Sequence, residues 1–380
     1  LSFRKVVGLL TFSETMNQGD PLMNKRNLFA VLLLCVAFAA FYGSVAAQSA
    51  GSAVEGVQNK RIGTAAATEL LIPVGARDMA MGGSGLATAS GIDALHWNPA
   101  GFGRISGSAE GMLSTMKYIA DINVNYGAVG INFGSFGVIG LSVKALDFGD
   151  IPLTTTDDPE GVAGRTFTPS FVTLGFSYAR AFTDAITAGG TVKLISENYH
   201  RVTGSGFAVD IGIQYRGVAG FKGVNLGVAL KNIGPQVSFD GPALLRLAAA
   251  SDGRRPTQYY QSKASSWELP TSIEIGVAYE RNVNENLTYS VNGTFANNNL
   301  ALDGYRGGAE LAYKLDKVRL AGRGGIEVSE KGELDEQIFG PTAGFGFTYY
   351  STGLDITIDY AYRSVDFFES NNMFSLKLGF

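Results

Sequence analysis

One cysteine and two histidines are all that occur in 380 residues. Such a supply builds neither a disulfide framework nor a Cys/His metal site, which excludes thiol redox and zinc chemistry. Charged side chains are scarce too, at 17% against a typical ~25%. The net charge of −4 and isoelectric point near 5.4 leave no basic field for a phosphate backbone, so nucleic acid is not an expected partner. Long apolar runs are missing. Leu28 to Tyr42 is apolar throughout, but it is shorter than the ~20 residues of a membrane helix, and no later run matches it. Against these gaps stand 50 glycines and a 46% hydrophobic content, too apolar for a disordered chain.

The apolar run has a clear context. Lys25 and Arg26 precede it and Val45-Ala46-Ala47 follows, the three-part plan of a secretory signal with cleavage after Ala47. Residues 1–22 read as an upstream extension, so residues 1–47 are set apart from the fold. Cys35 lies inside the apolar run, which makes the exported chain cysteine-free.

From about residue 106 the dominant signal is strict alternation, the period of a strand with one apolar face. Leu354, Ile356, Ile358, Tyr360 and Tyr362 alternate with Asp355, Thr357, Asp359, Ala361 and Arg363. Phe207, Val209, Ile211, Ile213 and Tyr215 alternate with Ala208, Asp210, Gly212, Gln214 and Arg216. Fourteen such segments can be placed, near 106–116, 121–133, 136–147, 170–181, 185–198, 204–216, 223–232, 270–281, 286–296, 304–315, 318–328, 341–350, 353–363 and 372–380. In the second, the apolar phase moves from Ile122, Val124, Tyr126 to Val129, Ile131, Phe133, which a β-bulge near Gly127 would explain.

About ten residues per segment suits a tilted membrane strand. Even-numbered joints are short, such as Gly134-Ser135 and Asp316-Lys317, whereas odd-numbered joints include 148–169, 233–269, 329–340 and 364–371. Short periplasmic turns opposite long extracellular loops, with an even strand count, describe an outer-membrane barrel. A soluble β-sandwich would alternate as well, with its polar face outward. Strand length, loop asymmetry, low charge and abundant Gly, Tyr and Phe favour the barrel. Phe374, Leu376, Leu378 and Phe380 end the chain on an alternating aromatic strand, resembling the terminal strand read by bacterial barrel-assembly machinery. Tyr349, Tyr350, Tyr360, Tyr362, Phe367 and Phe368 fall near strand ends, where interfacial girdles form. The expected fold is all-β, a 14-stranded antiparallel transmembrane barrel over 106–380. Its lumen-side Asp210, Glu274, Glu310, Asp355 and Asp359 would meet Lys193, Arg216, Arg319, Arg323 and Arg363 in a charge lattice.

Residues 48–105 do not alternate. They carry Gly75-Ala76-Arg77, Met81-Gly82-Gly83 and Trp97-Asn98-Pro99-Ala100-Gly101. This cluster resembles the N-terminal signature of PorV/PorQ-type outer-membrane proteins, relatives of the FadL-like fatty-acid transporters. The resemblance implies an N-terminal plug in the lumen, with Gly75, Arg77, Gly82, Gly83, Trp97, Asn98 and Pro99 as structural or gating residues. Lumenal backbone of this kind is tolerable because it bonds to a polar wall rather than facing lipid.

No catalytic, cofactor or metal-binding constellation is expected. His96 falls in the plug and His200 in a loop, Gly82-Gly83-Ser84-Gly85-Leu86 has Leu86 where a nucleophile elbow needs its second glycine, and no G-x-G-x-x-G follows a strand. Two functions remain. The PorV/PorQ resemblance implies an accessory of type IX secretion that binds secretion components or cargo C-terminal domains. Loop 233–269 would supply the surface: Ala243 to Ala250 reads as a short amphipathic helix, and Leu244, Leu245, Leu247, Tyr259, Tyr260 and Trp267 suit a partner. The FadL relation implies passive transport of hydrophobic small molecules, which needs an apolar pocket above the plug and an opening, marked by a kink near Gly127.

Overall fold

A computed structural model describes residues 63–249, 256–300, 302–329 and 338–380. The expected signal, residues 1–47 with Cys35, lies outside the described residues, as does 48–62 of the segment before the barrel. Fourteen long strands follow that segment. They are β1 (Ala109–Lys117), β2 (Asn123–Asn132), β3 (Val138–Asp147), β4 (Ser170–Ala181), β5 (Ile186–Asn198), β6 (Thr203–Arg216) and β7 (Val224–Ile233). The second half comprises β8 (Ser272–Asn282), β9 (Leu287–Asn298), β10 (Gly304–Leu315), β11 (Val318–Ser329), β12 (Phe339–Ser351), β13 (Leu354–Val365) and β14 (Asn371–Gly379). Each pairs antiparallel with its neighbour in sequence, and β1 pairs with β14 from Glu110↔Gly379 to Lys117↔Asn372, which closes the barrel. Closure removes the sheet edges that would otherwise need covering.

The barrel is inside-out relative to a soluble protein. Leu113 is 66% and Phe345 56% exposed on the outer face, while Asp210 and Gln214 on the inner face have no exposure at all. A sandwich would invert that order, so the outer surface is one built for lipid. Tyr349, Tyr362, Phe367 and Phe368 are exposed near strand ends, as expected of a girdle.

Two local expectations are corrected. No bulge occurs at Gly127: it pairs in unbroken register with Leu113 on one side and Val143 on the other. The change of apolar phase has another cause. Val124 and Tyr126 point into the lumen, where they join a buried cluster with Met112, Met116, Val138 and Leu146, while Val129 and Ile131 face outward. Register shifts lie instead between β12 and β13, at Phe339 to Thr342, and between β6 and β7, where pairing slips between Val209 and Ile211. There Asn232 adopts a left-handed φ of 57°, and its N–H donates to Asp210 Oδ1 at 2.8 Å. The second correction concerns 243–249. A 3-10 turn, Pro242–Leu244, leads into strand Leu245–Ala248, which pairs with Gln258–Gln261; no helix forms there. Leu245 and Leu247 alternate with Arg246 and Ala248, and the cross-strand pairs Leu247↔Tyr259 and Arg246↔Tyr260 reward that period over a helical one. Ala250 lies outside the described residues.

Candidate functional site

Residues 63–105 cross the barrel lumen from the long-loop end to the short-turn end. Near the first end, Ala66 N–H bonds Glu268 O at 3.0 Å; near the second, Arg104 Nη2 donates to Ala185 O at 3.1 Å. The segment is a chain of single turns: Thr68–Leu71, α1 (Ala76–Met79), Gly85–Ala87, Gly91–Asp93, α2 (Ala94–Trp97) and Pro99–Arg104. Glycine interruptions prevent anything longer; Gly75, with φ 81°, precedes α1, and Gly82, with φ 66°, follows it. Backbone groups that short turns leave unpaired find wall side chains instead. Ala76 N–H donates to Ser375 Oγ (2.9 Å) and Ile92 N–H to Glu110 Oε2 (2.7 Å). Ala80 O accepts from Thr342 Oγ1 (2.9 Å), Ser84 O from Thr294 Oγ1 (3.0 Å), and Ala89 O from Gln214 Nε2 (2.9 Å). Lys144 Nζ caps Glu69 O at 2.6 Å and Ile72 O at 2.5 Å.

The signature residues are brought together here. Asn98 is fully buried and works three ways: Nδ2 donates to Leu86 O (3.0 Å) and to Ile213 O on β6 (3.2 Å), and Oδ1 accepts from Ala100 N–H (3.1 Å). Pro99 opens the next turn at its first position, where a missing N–H costs nothing. Trp97 Nε1 donates to Val74 O at 3.2 Å, and its ring lies so near Gly83 that a Cβ there would stand 2.9 Å from Cζ3. Asn98→Ala leaves Ile213 O without its side-chain donor in a dry site. The expected cost is about 1–3 kcal/mol, read as a lowered urea midpoint with the barrel still assembled; an unchanged midpoint would count against this keystone role.

Arg77 sits within a buried ion lattice that spans segment and wall. It approaches Asp78 Oδ1 and Glu310 Oε2, each at 3.3 Å. Glu310 also accepts from Arg319 (2.8 Å) and Arg323 (2.6 Å), and Arg323 continues to Asp359 (2.5 Å). Asp93 pairs with Lys377. Burial pushes the Asp78 carboxyl up to about 6 against the pull of Arg77. For Asp93 burial acts in the same direction, but Lys377 and Arg77 together hold it below the usual range. Of the other expected lattice members, Lys193 pairs with Asp210 (2.6 Å), and Glu274 meets Lys231 (3.2 Å) and Arg306 (3.5 Å). Arg363 takes a different partner: its guanidinium stacks 3.8 Å from the Phe339 ring centroid and bonds Asn371. Among the described residues, Asp355 and Arg216 make no ion pair.

His96 lies half-buried, edge-on to Trp97 at 5.0 Å. Burial, then the charges of Lys144, Lys231, Lys193 and Arg306, pushes its imidazole well below the usual histidine range. His200 is a loop residue against Phe167. Among the described residues, no group of three or more His, Cys, Asp or Glu could hold a metal ion.

Sequence reasoning missed Glu69, Lys144, Glu197, Gln214, Lys231 and Arg306, and the wall glycines. Gly130, Gly276 and Gly325 stand on inner phases where the segment's own atoms touch the wall. An added Cβ would lie 2.6 Å from the Phe102 ring, 2.8 Å from Leu86 Cβ and 2.5 Å from Gly82 N, respectively. The signal was readable: glycines recurring on the polar phase of strands mark close backbone approach. The candidate partner residues form a separate surface. Leu245, Leu247, Tyr259, Tyr260 and Trp267 are all exposed on the long loops, while Leu244 is half-buried in the turn before them.

Residues 55–250 match the family described as Type IX secretion system protein PorV. No curated protein matches the chain in sequence. Among solved structures, the chain is similar to a deletion mutant of the TodX monoaromatic hydrocarbon channel, with TM-score 0.51 and 13% identity over 80% of this chain and 97% of that one. It is likewise similar to the P. putida toluene transporter TodX, with TM-score 0.50 and 13% identity over 80% of this chain and 98% of that one. At such identity these structures speak for the barrel architecture alone.

Proposed function

Because the chain belongs to the PorV family, which matches more than half of its length, we propose that this outer-membrane barrel is an accessory of type IX protein secretion, offering its long loops to exported cargo or secretion components. The lumen carries this reading over passive transport. A hydrophobic solute needs a free apolar chamber, whereas the apolar cluster in the lumen is filled by the protein's own Val74, Met79, Leu95, Trp97 and Phe102, with the charges of Lys144, Lys193, Lys231 and Arg306 acting on His96 beside it. Residues 63–105 act as a plug, bonded to strands on every side. Binding then belongs to the outside of the barrel. The paired strands Leu245–Ala248 and Gln258–Gln261 offer exposed aromatic and leucine side chains, and Trp267 is exposed in the same long loop, where it pairs with Val237.

Affinity purification of the tagged protein from detergent-solubilised outer membranes of its own organism tests this, with proteins and extracted lipids identified by mass spectrometry. Secretion components or sorting-domain cargo are expected with the wild type. Their recovery should fall about tenfold, a loss of ~1.4 kcal/mol, in a Leu247→Asp/Tyr259→Ser variant. Recovery of the barrel alone, enriched in apolar small molecules, would sink the proposal in favour of transport.

A further inference from the structure

The first turn of the lumenal segment brings two acids together out of water. Glu69 and Glu197, on β5, are each 2% exposed. No donor reaches Glu69 Oε1, Glu69 Oε2 or Glu197 Oε2. The other Glu197 oxygen accepts from Ala67 N–H at 3.2 Å and lies 3.5 Å from Tyr199 Oη. Lys144, the nearest cation, has turned its ammonium to the carbonyls of Glu69 and Ile72. Two carboxylates cannot face each other in a dry site while both are charged. A carboxylic acid donating to its neighbour satisfies both.

We propose that Glu69 and Glu197 share one proton and thereby form a latch, whose deprotonation frees residues 66–72 from the long-loop end of the lumen. The rest of the local hold is the two Lys144 bonds, the Ala66 N–H bond to Glu268 O and a modest apolar contact. Ala66, Ala67 and Leu70 bury a small apolar patch against Ile195, Val237 and Leu269. A cavity of about 110 Å³, lined in part by Ala65, Thr68, Leu71 and Pro270, leaves the turn unsupported on another side. Ala67 is held at φ 54°, a left-handed conformation that an L-residue leaves readily once released.

The groups facing Glu69 set the sign of the response. Glu197 and Tyr199 surround it from the wall and Lys144 from β3, with Lys193 acting on Lys144 and Glu268 bonded to the turn through Ala66. Burial, followed by the Glu197 charge, pushes the Glu69 carboxyl well above its usual range. The docked turn therefore binds a proton that the released turn gives up, so docking is strongest at or below the ordinary carboxylate range and weakens as pH rises above it. The latch does not depend on the secretion reading.

Hydrogen exchange of the Ala67 and Ile72 amides in the full-length barrel, corrected for intrinsic rates, tests it. Protection should fall about tenfold per pH unit, the response of one proton, from pH 5 to 8. In Glu69→Gln, whose amide imitates the protonated acid, it should stay flat. A flat wild type, or a Glu69→Gln profile parallel to it, overturns the latch. Should Glu69→Gln fail to assemble, infrared spectroscopy of the wild type decides: a protonated-carboxyl band persisting above pH 7 supports the shared proton, and its absence at pH 6 overturns it.

Discussion

Glu310→Ala is expected to destabilise the barrel by about 3–5 kcal/mol, the usual consequence of removing one partner from a buried ion pair. Glu310 is the only carboxylate in the described residues that meets three guanidiniums, those of Arg77, Arg319 and Arg323. Arg323 is almost wholly buried and keeps only Asp359 if Glu310 is lost. Arg77 keeps Asp78, a weaker anion because burial already favours its neutral form. Arg77 and Arg323 then share one lattice with less negative charge to offset them. The loss is due to the charge left behind more than to the bond removed, so Glu310→Leu/Arg323→Leu/Asp359→Leu, which also removes the carboxylate that Arg323 would leave unpaired, should recover part of it. Urea unfolding of the reconstituted barrel, followed by its gel mobility shift, measures both variants. A Glu310→Ala midpoint close to wild type would show that solvent or Asp359 already neutralises the lattice.

Gly325→Val should undock the lumenal segment while leaving the wall intact. Gly325 on β11 and Gly82 of the segment meet backbone to backbone. A Cβ at position 325 would stand 2.5 Å from Gly82 N and from Met81 O, and one at position 82 would stand 2.8 Å from Ile326 N and O. Neither side can yield by rotating a side chain. Valine itself suits a strand, so the wall should form. Gly322→Val on the same strand is the control, because an added Cβ there meets nothing within 4 Å. The expected result is steady ion conductance in planar bilayers and tryptic cleavage after Arg77 for Gly325→Val, with the control closed and resistant. Closed channels and a protected Arg77 in Gly325→Val would refute the plugging role assigned to residues 63–105.

Much of the wall was legible residue by residue. The alternation at 204–216 and 353–363 correctly placed Asp210 and Asp359 inside and Ile211 and Ile358 outside. It was read too literally at Gly127, because an apolar side chain was assumed to face lipid; Val124 and Tyr126 instead pack in the lumenal cluster with Met112 and Met116. It was read too loosely at 243–249, where leucines among alanines suggested a helix although the period was two. Within the lattice, Glu310 and Arg323 were within reach of sequence reasoning, since they stand opposite each other on neighbouring strands. Arg77 with Glu310, Asp93 with Lys377, and Glu69 with Glu197 were not.

The sequence alone determined the local physics: strands of membrane-spanning length, the face each residue takes, the short-turn and long-loop ends, and the signature of the segment inside. Period and turn length act between neighbours, so they carry that information along the chain. Which groups meet across the lumen was decided only by closure of the barrel. Closure brings together residues such as Asn98 and Ile213, or Ala76 and Ser375, that have no shared period or turn. It also excludes water, and so makes a glycine, a shared proton or a single carboxylate count for more than its residue type would suggest.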